Sequence, residues 1–444
     1  MSLSGVNSGI DDALRPEPGP DSGHRERWSI PGPSRLPLAG TLIYVGIRLI
    51  SVAMTTFLLG RGNFQRRHWS LIRWMRSSDG GHYRAIAAHG YAYPPGQLAH
   101  ASVFSWFPGY PAAIDSLAWL PWITIFTAGL IVTAVAGMTA AWGLTRLGLK
   151  LTGDPRISLL LVAIWAVAPG SVALSMTYAE ALFCALAIWA LLALANGRWL
   201  TAGLLTLAAG TVRSTAVALI LAVLTAAATA VIHAVREHQP FTAWWRPIAG
   251  ALLAPLGLIG FLGYVVVATH RLAGWFWVER HVMHMTFDWG TSTLHQAKAV
   301  LLGSPSVAQI LVVGTVIVAV LLMFWSLTER IPVYLHVYTV VVVVLAVTTS
   351  ANWISSKPRF LLPAVLLALP VARLLAPLRT AVLVPLVGVL TVATTWFCLY
   401  VTVIAKWTPQ RGGNWLAPAV RAALAWASWC RLVTCSRSPP WSAS

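Results

Sequence analysis

Residues 37–60 read PLAGTLIYVGIRLISVAMTTFLLG. An apolar helix needs about 20 residues to cross roughly 30 Å of hydrocarbon, and this run is long enough. Runs of the same kind recur near 118–144, 157–174, 178–195, 247–268, 307–327, 332–349, 360–376 and 381–403. The stretch 199–233 is too long for one simple span, and Arg213 interrupts it, so two helices are expected there. The sum is about eleven spans. The predicted fold class is all-α, a polytopic integral membrane bundle with a long outer first loop.

Composition agrees with the spans. Hydrophobic residues are 57% of the 444 and charged residues 10%, and the mean hydropathy is +0.71. A soluble domain carries about 25% charged residues. The net charge of +18 does not gather into a basic helix or an aromatic RNA-binding signature, so nucleic acid is excluded as a partner. Anionic lipid head groups are the better match for dispersed arginines. Of the four cysteines, Cys184 and Cys398 lie in apolar runs and read as small buried hydrophobes. Cys430 and Cys435 show no metal spacing.

Outside the spans the chain divides simply. Residues 1–36 are rich in Pro, Gly and Ser and read as a disordered cytoplasmic tail. Residues 37–410 are the transmembrane domain. Residues 411–444 form a C-terminal tail whose tryptophans recur at helical spacing over 414–435, as in an interfacial helix. With the N-terminus inside, the long segments 61–117 and 269–306 fall on the outer face. Their tryptophans suit helices at head-group level. The positive-inside rule supports this orientation poorly, because many arginines lie on the predicted outer side.

Candidate chemistry concentrates in those loops. Only 13 residues of the chain are acidic, and a carboxylate placed beside a bilayer is a functional candidate. Asp79 stands in Ser77-Ser78-Asp79-Gly80-Gly81-His82-Tyr83, and an aromatic cluster follows at Phe104-Ser105-Trp106-Phe107-Pro108-Gly109-Tyr110-Pro111. The plainer alternative makes Asp79 the cap of a helix starting near His82. Thr177-x-x-Glu180 has capping-box spacing, so Glu180 is either a cap or a carboxylate at a helix end that binds acceptor or orients Arg213. Arg213 in an apolar run costs about 2.5–3.5 kcal/mol unless paired or wet. Lys357 and Arg359 stand at a span boundary, where they snorkel or clamp phosphate. His281 and His284, at i and i+3, are an incomplete metal pair.

Four motifs in register support a resemblance. Asp79-x-x-x-Tyr83-x-x-Ile86-Ala87-x-x-Gly90-Tyr91, followed by Phe107-Pro108-x-Tyr110-Pro111, resembles the first loop of the PIG-V-type mannosyltransferases. Tyr178-Ala179-Glu180-Ala181-Leu182-Phe183, Thr211-Val212-Arg213-Ser214-Thr215 and Lys357-Pro358-Arg359-Phe360-Leu361-Leu362-Pro363 resemble three later segments of that family. The match runs over roughly residues 40–400. It departs at Ser78 and His82, where the family has Trp, and at Ser214, where it has Pro.

The resemblance implies a GT-C type glycosyltransferase. The donor would be a polyprenyl-phosphate mannose and the acceptor a glycan or glycolipid, with transfer on the extracytoplasmic face of the cell membrane. It implies Asp79 as catalytic base, with His82, Tyr83, Tyr178, Glu180, Arg213, Lys357 and Arg359 as substrate-binding residues. No cofactor is expected, and no metal, because the Asp-x-Asp signature of nucleotide-sugar transferases is absent. A transporter or lipid flippase, and a non-catalytic scaffold of an envelope-synthesis complex, are the alternatives.

Overall fold

The computed structural model describes residues 35–61, 69–91, 98–303, 305–349 and 355–404. Among these the chain is helical nearly throughout, and the one β-contact is an isolated antiparallel bridge between Phe287 and Thr349. The helices in order are α1 (Leu36–Leu59), α2 (Leu71–Met75), α3 (Asp79–His89), α4 (Gly109–Ala118), α5 (Ile125–Thr152), α6 (Pro155–Ala166), α7 (Glu180–Ala195), α8 (Trp199–Gly210) and α9 (Ala216–Arg236). They continue as α10 (Phe241–Leu253), α11 (Leu256–Thr269), α12 (Gly274–His281), α13 (Thr291–Leu302), α14 (Val307–Ser326), α15 (Val333–Thr348), α16 (Lys357–Phe360), α17 (Ala368–Leu375) and α18 (Thr380–Leu399).

Six stretches are long and apolar enough to cross a membrane, and five shorter apolar helices of 10–17 residues stand among them. The chain is therefore a multi-pass membrane protein. Its long helices keep much of their apolar surface outside the core. In α14 only 33% of the best 18-residue window is buried, and Ile310, Ile317, Leu321 and Phe324 are exposed. Such surface is costly in water and free of cost against acyl chains.

The bundle is organised around α5, which packs on α1, α6 and α7. Its buried face is mostly small: Ala128, Gly129, Ala136, Gly137, Ala140, Ala141 and Gly143. Small residues let helix backbones approach closely where no hydrophobic effect drives them together. The closest case is elsewhere, between α8 and α11, where a Cβ on Gly257 would collide with the carbonyl oxygen of Leu207. Between α5 and α6 the link is two residues, Gly153 and Asp154. Gly153 takes a left-handed φ of 69°, Asp154 accepts from the amides of Arg156 and Ile157, and Pro155 occupies the first helical position.

Several expected spans are modified. The run 199–233 does break around Arg213, giving α8 and α9. The run 247–268 lies within one crossing stretch, Trp244–Thr269, but its helix is interrupted, because Pro255 cannot donate the next helical hydrogen bond and α10 stops at Leu253. The run 118–144 begins later and extends to Thr152, since Trp119–Thr124 is a link from α4. The run 360–376 is helical only from Val365. Residues 1–34 and 405–444 lie outside the described residues, and with them most of the expected N-terminal tail, the expected C-terminal helix, Cys430 and Cys435. Arg35 and Leu36 already belong to the start of α1. Cys184 and Cys398 are buried and free, as expected.

The expected span 157–174 fails for a reason that exposes a structural cation. Helix α6 ends at Ala166 and a left-handed Gly170 leads into a 3-10 turn over Ser171–Ser175. That break frees backbone carbonyls inside apolar surroundings, where each unpaired group costs several kcal/mol. Arg48, buried in α1, supplies the donors: Nη1 gives to Ser171 O (2.5 Å), and Nη2 gives to Ala166 O and to Ser171 Oγ (3.3 Å). Replacing Arg48 with Leu should lower stability by about 3 kcal/mol or more, counting only the two hydrogen bonds to backbone carbonyls at about 1.5–3 kcal/mol each for a charged donor. Thermal unfolding of the detergent-solubilised protein reads this, and an unchanged Tm would remove Arg48 from the account.

Candidate functional site

Four charged side chains from four separate segments meet on one side of the bundle. Asp79 begins α3, Glu180 begins α7, Arg213 stands in the break between α8 and α9, and Arg359 belongs to α16. Arg359 Nη1 is 2.5 Å from Asp79 Oδ2 and 3.4 Å from Glu180 Oε1, while Arg213 Nη1 is 2.7 Å from Glu180 Oε1. The order is therefore carboxylate, guanidinium, carboxylate, guanidinium, with no net charge. Glu180 lies at the bottom, 1% exposed, whereas Asp79 and Arg359 are 22% and 17% exposed at the rim. The Glu180 carboxylate is held by the two guanidinium groups that contact Oε1.

Local structure explains how each group arrives. Ser78 precedes α3 at φ 54°, a conformation disfavoured for a residue with a Cβ, and its hydroxyl donates to Asp79 Oδ1 (3.2 Å). The Asp79 side chain caps nothing: α3 has no side-chain cap and starts at Asp79 rather than near His82. The capping-box alternative for Glu180 also fails. Residue Ala179 is the N-cap of α7, and the Thr177 hydroxyl is directed instead to Met75 O (3.2 Å). Gly80 sits against that threonine with no space for a Cβ, so α3 and the start of α7 are pressed together.

The other motifs position the two arginines. Gly109 N donates to Thr211 O (2.7 Å), tying the Phe107–Pro111 segment to the break that carries Arg213. Tyr110 anchors that segment to α5 through Gly129 O and Thr133 Oγ1. The segment after Arg359 is held by Trp165 Nε1 on Leu362 O and by Tyr338 OH on Pro363 O. Gly170, at φ 88°, lies so close to Pro358 and Arg359 that a Cβ would meet the Arg359 nitrogen at 2.6 Å.

Aromatic rings line the charges. The Arg359 guanidinium lies 5.2 Å from both the Tyr178 and Phe360 ring centroids, and Arg213 lies 5.6 Å from Phe360. Tyr83 packs edge-on against Tyr110 beneath the cluster. His82, one turn on from Asp79 along α3, stacks on Trp106 at 4.0 Å, whose carbonyl accepts from Tyr91 OH. Phe360 was not among the expected site residues, although its place beside Arg359 was the available signal.

The electrostatics follow from this packing. Burial by itself raises the Asp79 carboxyl, but the charge and hydrogen bond of Arg359, with Arg213 and Ser78 behind them, outweigh it and hold the group below its ordinary range. Burial lowers Arg359, and the neighbouring Asp79 and Glu180 more than reverse that. The same balance raises Arg213, chiefly through Glu180. Burial pushes His82 down despite Asp79, so it is neutral near pH 7. Burial raises the hydroxyls of Tyr83 and Tyr178.

Lys357 is a correction. It is buried, and its ammonium donates to Ala346 O (2.9 Å), Val347 O (3.3 Å) and Thr349 O (2.6 Å), the free carbonyls at the C-terminal end of α15. A cation there satisfies the negative end of the helix, so it is spent on backbone and does not face the cluster. Burial brings it down to about 8, against a smaller opposing effect of Asp288. The histidine pair also dissolves: α12 ends at His281, and His284 lies beyond it with φ 53°. Among the described residues no three His, Cys, Asp or Glu side chains gather as a metal site.

No protein-family model matches the chain. The chain is 32% identical over 153 residues to GPI alpha-1,6-mannosyltransferase 2 of Mus musculus and, at the same identity and length, to that of Cricetulus griseus. These alignments cover 32% of this chain and 29% of each relative, so the match spans less than a third of the curated proteins. The resemblance to PIG-V-type mannosyltransferases drawn from the motifs is thus also present as direct sequence similarity. The crystal structure of ArnT from Cupriavidus metallidurans bound to undecaprenyl phosphate aligns with TM-score 0.46 and 14% identity, over 74% of this chain and 59% of its own.

The buried pair should behave as a unit. Glu180→Ala strands Arg213 beside apolar neighbours and should cost about 3–5 kcal/mol. Adding Arg213→Ala should restore part of that loss, so the double variant is less damaged than the two single losses summed. Thermal unfolding of the four proteins gives the coupling, and strict additivity would show that the contact carries no energy.

Proposed function

We propose that this chain is an integral membrane glycosyltransferase that moves a hexose, mannose by resemblance, from a polyprenyl-phosphate donor to a hydroxyl of a glycan or glycolipid acceptor. The site is assigned to the extracytoplasmic face. The observation that carries this reading is the bridging of Asp79 and Glu180 by one partly exposed guanidinium, Arg359.

Transfer requires two things of the protein. The acceptor oxygen must lose a proton as it bonds to the anomeric carbon, and the phosphate oxygen must take the electrons of the bond that breaks. Asp79 is the base at the rim, and Arg359 with Arg213 supplies charge-assisted donors for the departing phosphate. At rest the Asp79 carboxylate is a weak base, because Arg359 stabilises its charge. A donor phosphate that draws Arg359 toward itself weakens that pairing and raises the basicity of Asp79. Base strength would then appear only when donor is bound, which guards the site against idle chemistry. Glu180 keeps both arginines in place during the exchange, since it contacts each. Tyr178 and Phe360 give the Arg359 guanidinium flat surfaces on which to shift.

Radiolabelled polyprenyl-phosphate mannose supplied to membranes tests the reading directly. Membranes with the wild-type chain should form a labelled product, and membranes without it should not. Asp79→Asn at matched expression should reduce the rate by about 10²–10⁴-fold, the usual worth of a positioned base. Equal product in all three would reject this donor and favour the transporter or scaffold alternatives.

The pH profile provides a second check. A carboxylate with a depressed pKa remains ionised down to unusually low pH, so the acid limb of kcat/KM should lie below the ordinary carboxylate range. Arg359→Gln removes the group that lowers Asp79 and leaves the burial that raises it. The acid limb should therefore move to higher pH, in addition to a slower maximal rate. A limb that stays in place would exclude Asp79 as the titrating base.

A further inference from the structure

The face of α3 turned away from the charge cluster holds a second concentration of positive charge. At about 100° per residue, Arg84 lies roughly 140° around the helix from Asp79. Arg84, His89 and Gly81 line one wall of an open cleft of about 430 Å³, and Arg76, from the end of α2, lines its edge. The opposite wall is the first turn of α5, Thr124, Ile125 and Phe126, so the positive end of a 28-residue helix also faces it. Arg76 and Arg84 share one aromatic surface, their guanidinium carbons 4.4 and 5.6 Å from the Phe126 centroid.

Two like charges over one ring repel, and burial and Arg76 together lower Arg84. Among the described residues no carboxylate comes within ion-pairing distance of either arginine. Arg84 Nη2 donates to Arg76 O (3.2 Å), but its Nη1 is shielded from solvent and has no partner. This is unlike the main cluster, where each cation has its anion. Repulsion of this kind, with an orphaned donor, is relieved by a ligand that carries negative charge and several acceptor oxygens. The surroundings say where that ligand comes from. Ile72 is 57% exposed on α2 on one side, and Trp119 and Trp122 are 89% and 79% exposed before α5 on the other. Exposed tryptophans of this kind occupy the head-group level of a bilayer. The adjoining second cleft, which also contains Arg76, is lined by Trp69 and Ile72.

We propose that Arg76 and Arg84, with the first turn of α5, bind the phosphate of an anionic phospholipid head group from the surrounding bilayer. Bound there, the lipid neutralises the arginine pair and fixes α3, the helix that carries Asp79, at the membrane surface. The assignment does not depend on the transfer reaction.

The test uses the full chain, purified in detergent and titrated with phosphatidylglycerol or with phosphatidylcholine, the retained lipid being counted by native mass spectrometry. The wild type should retain phosphatidylglycerol in preference. Arg76→Gln and Arg84→Gln should each weaken that retention about tenfold, the scale of one hydrogen bond to a charged group. Arg271→Gln, an exposed arginine elsewhere, should leave it unchanged. Arg84 also braces the end of α2, and for that reason Arg76→Gln, whose side chain is exposed, is the deciding variant. Preference that survives Arg76→Gln in a protein of wild-type Tm overturns the proposal. So does equal retention of the two lipids, or binding of soluble glycerol phosphate as tight as that of phosphatidylglycerol. Arginine-dependent lipid retention by a chain that transfers no mannose from the polyprenyl-phosphate donor would uphold this site and count against the proposed donor alone.

Discussion

The alternating row Asp79–Arg359–Glu180–Arg213 is the constraint that the rest of the architecture serves. Removing a charge from water costs several kcal/mol even after relaxation, and an apolar bundle offers little to offset it. Each ion is tolerable only because an opposite one stands beside it. Any of the four alone would be ejected toward water or neutralised. The row also joins four segments distant in sequence, so forming it brings α3, α7, the α8–α9 break and α16 together at once.

Meeting that constraint requires interruptions in the helices. Arg213 reaches Glu180 because α8 stops at Gly210 and α9 begins only at Ala216. Arg359 reaches both carboxylates from a four-residue helix followed by a turn. Each interruption releases backbone groups, and the chain answers with cations or hydroxyls: Arg48 on the end of α6, Lys357 on the end of α15, Tyr338 on Pro363. The basic residues therefore perform three separate tasks. Some pair with carboxylates, some satisfy carbonyls, and Arg76 and Arg84, joined by one hydrogen bond from Arg84 to the Arg76 carbonyl, have no carboxylate among the described residues at the open surface of α3.

Sequence pattern was informative where the physics is local. Hydropathy runs located the helices because lipid contact demands continuous apolar surface, and the split at Arg213 was visible since a charge cannot sit uncompensated in such a run. Boundaries at Pro255 and Gly170 were less visible, because both neighbours of each break are equally apolar. Asp79, Glu180, Arg213 and Arg359 could be named as candidates from their motifs. Lys357, in the same motif as Arg359 and two residues away, could not be separated from it. On a short helix two residues apart means nearly opposite directions, and only the packed neighbours show which direction leads to the charges.

The sequence by itself determined the class of solvent, the order and approximate places of most apolar helices, and the few ionisable residues that such a chain can carry. These follow from composition and from properties of single segments, for which water and lipid act on each stretch independently. Only the tertiary structure decided which charges meet, since pairing depends on distances between residues as far apart as Asp79 and Arg359. It also decided that Asp79 and Thr177 do not cap helices, that Lys357 serves backbone carbonyls, and that two arginines share Phe126 with no carboxylate beside them among the described residues. Coulomb energy falls with separation in space, and separation in space is what a linear sequence does not contain.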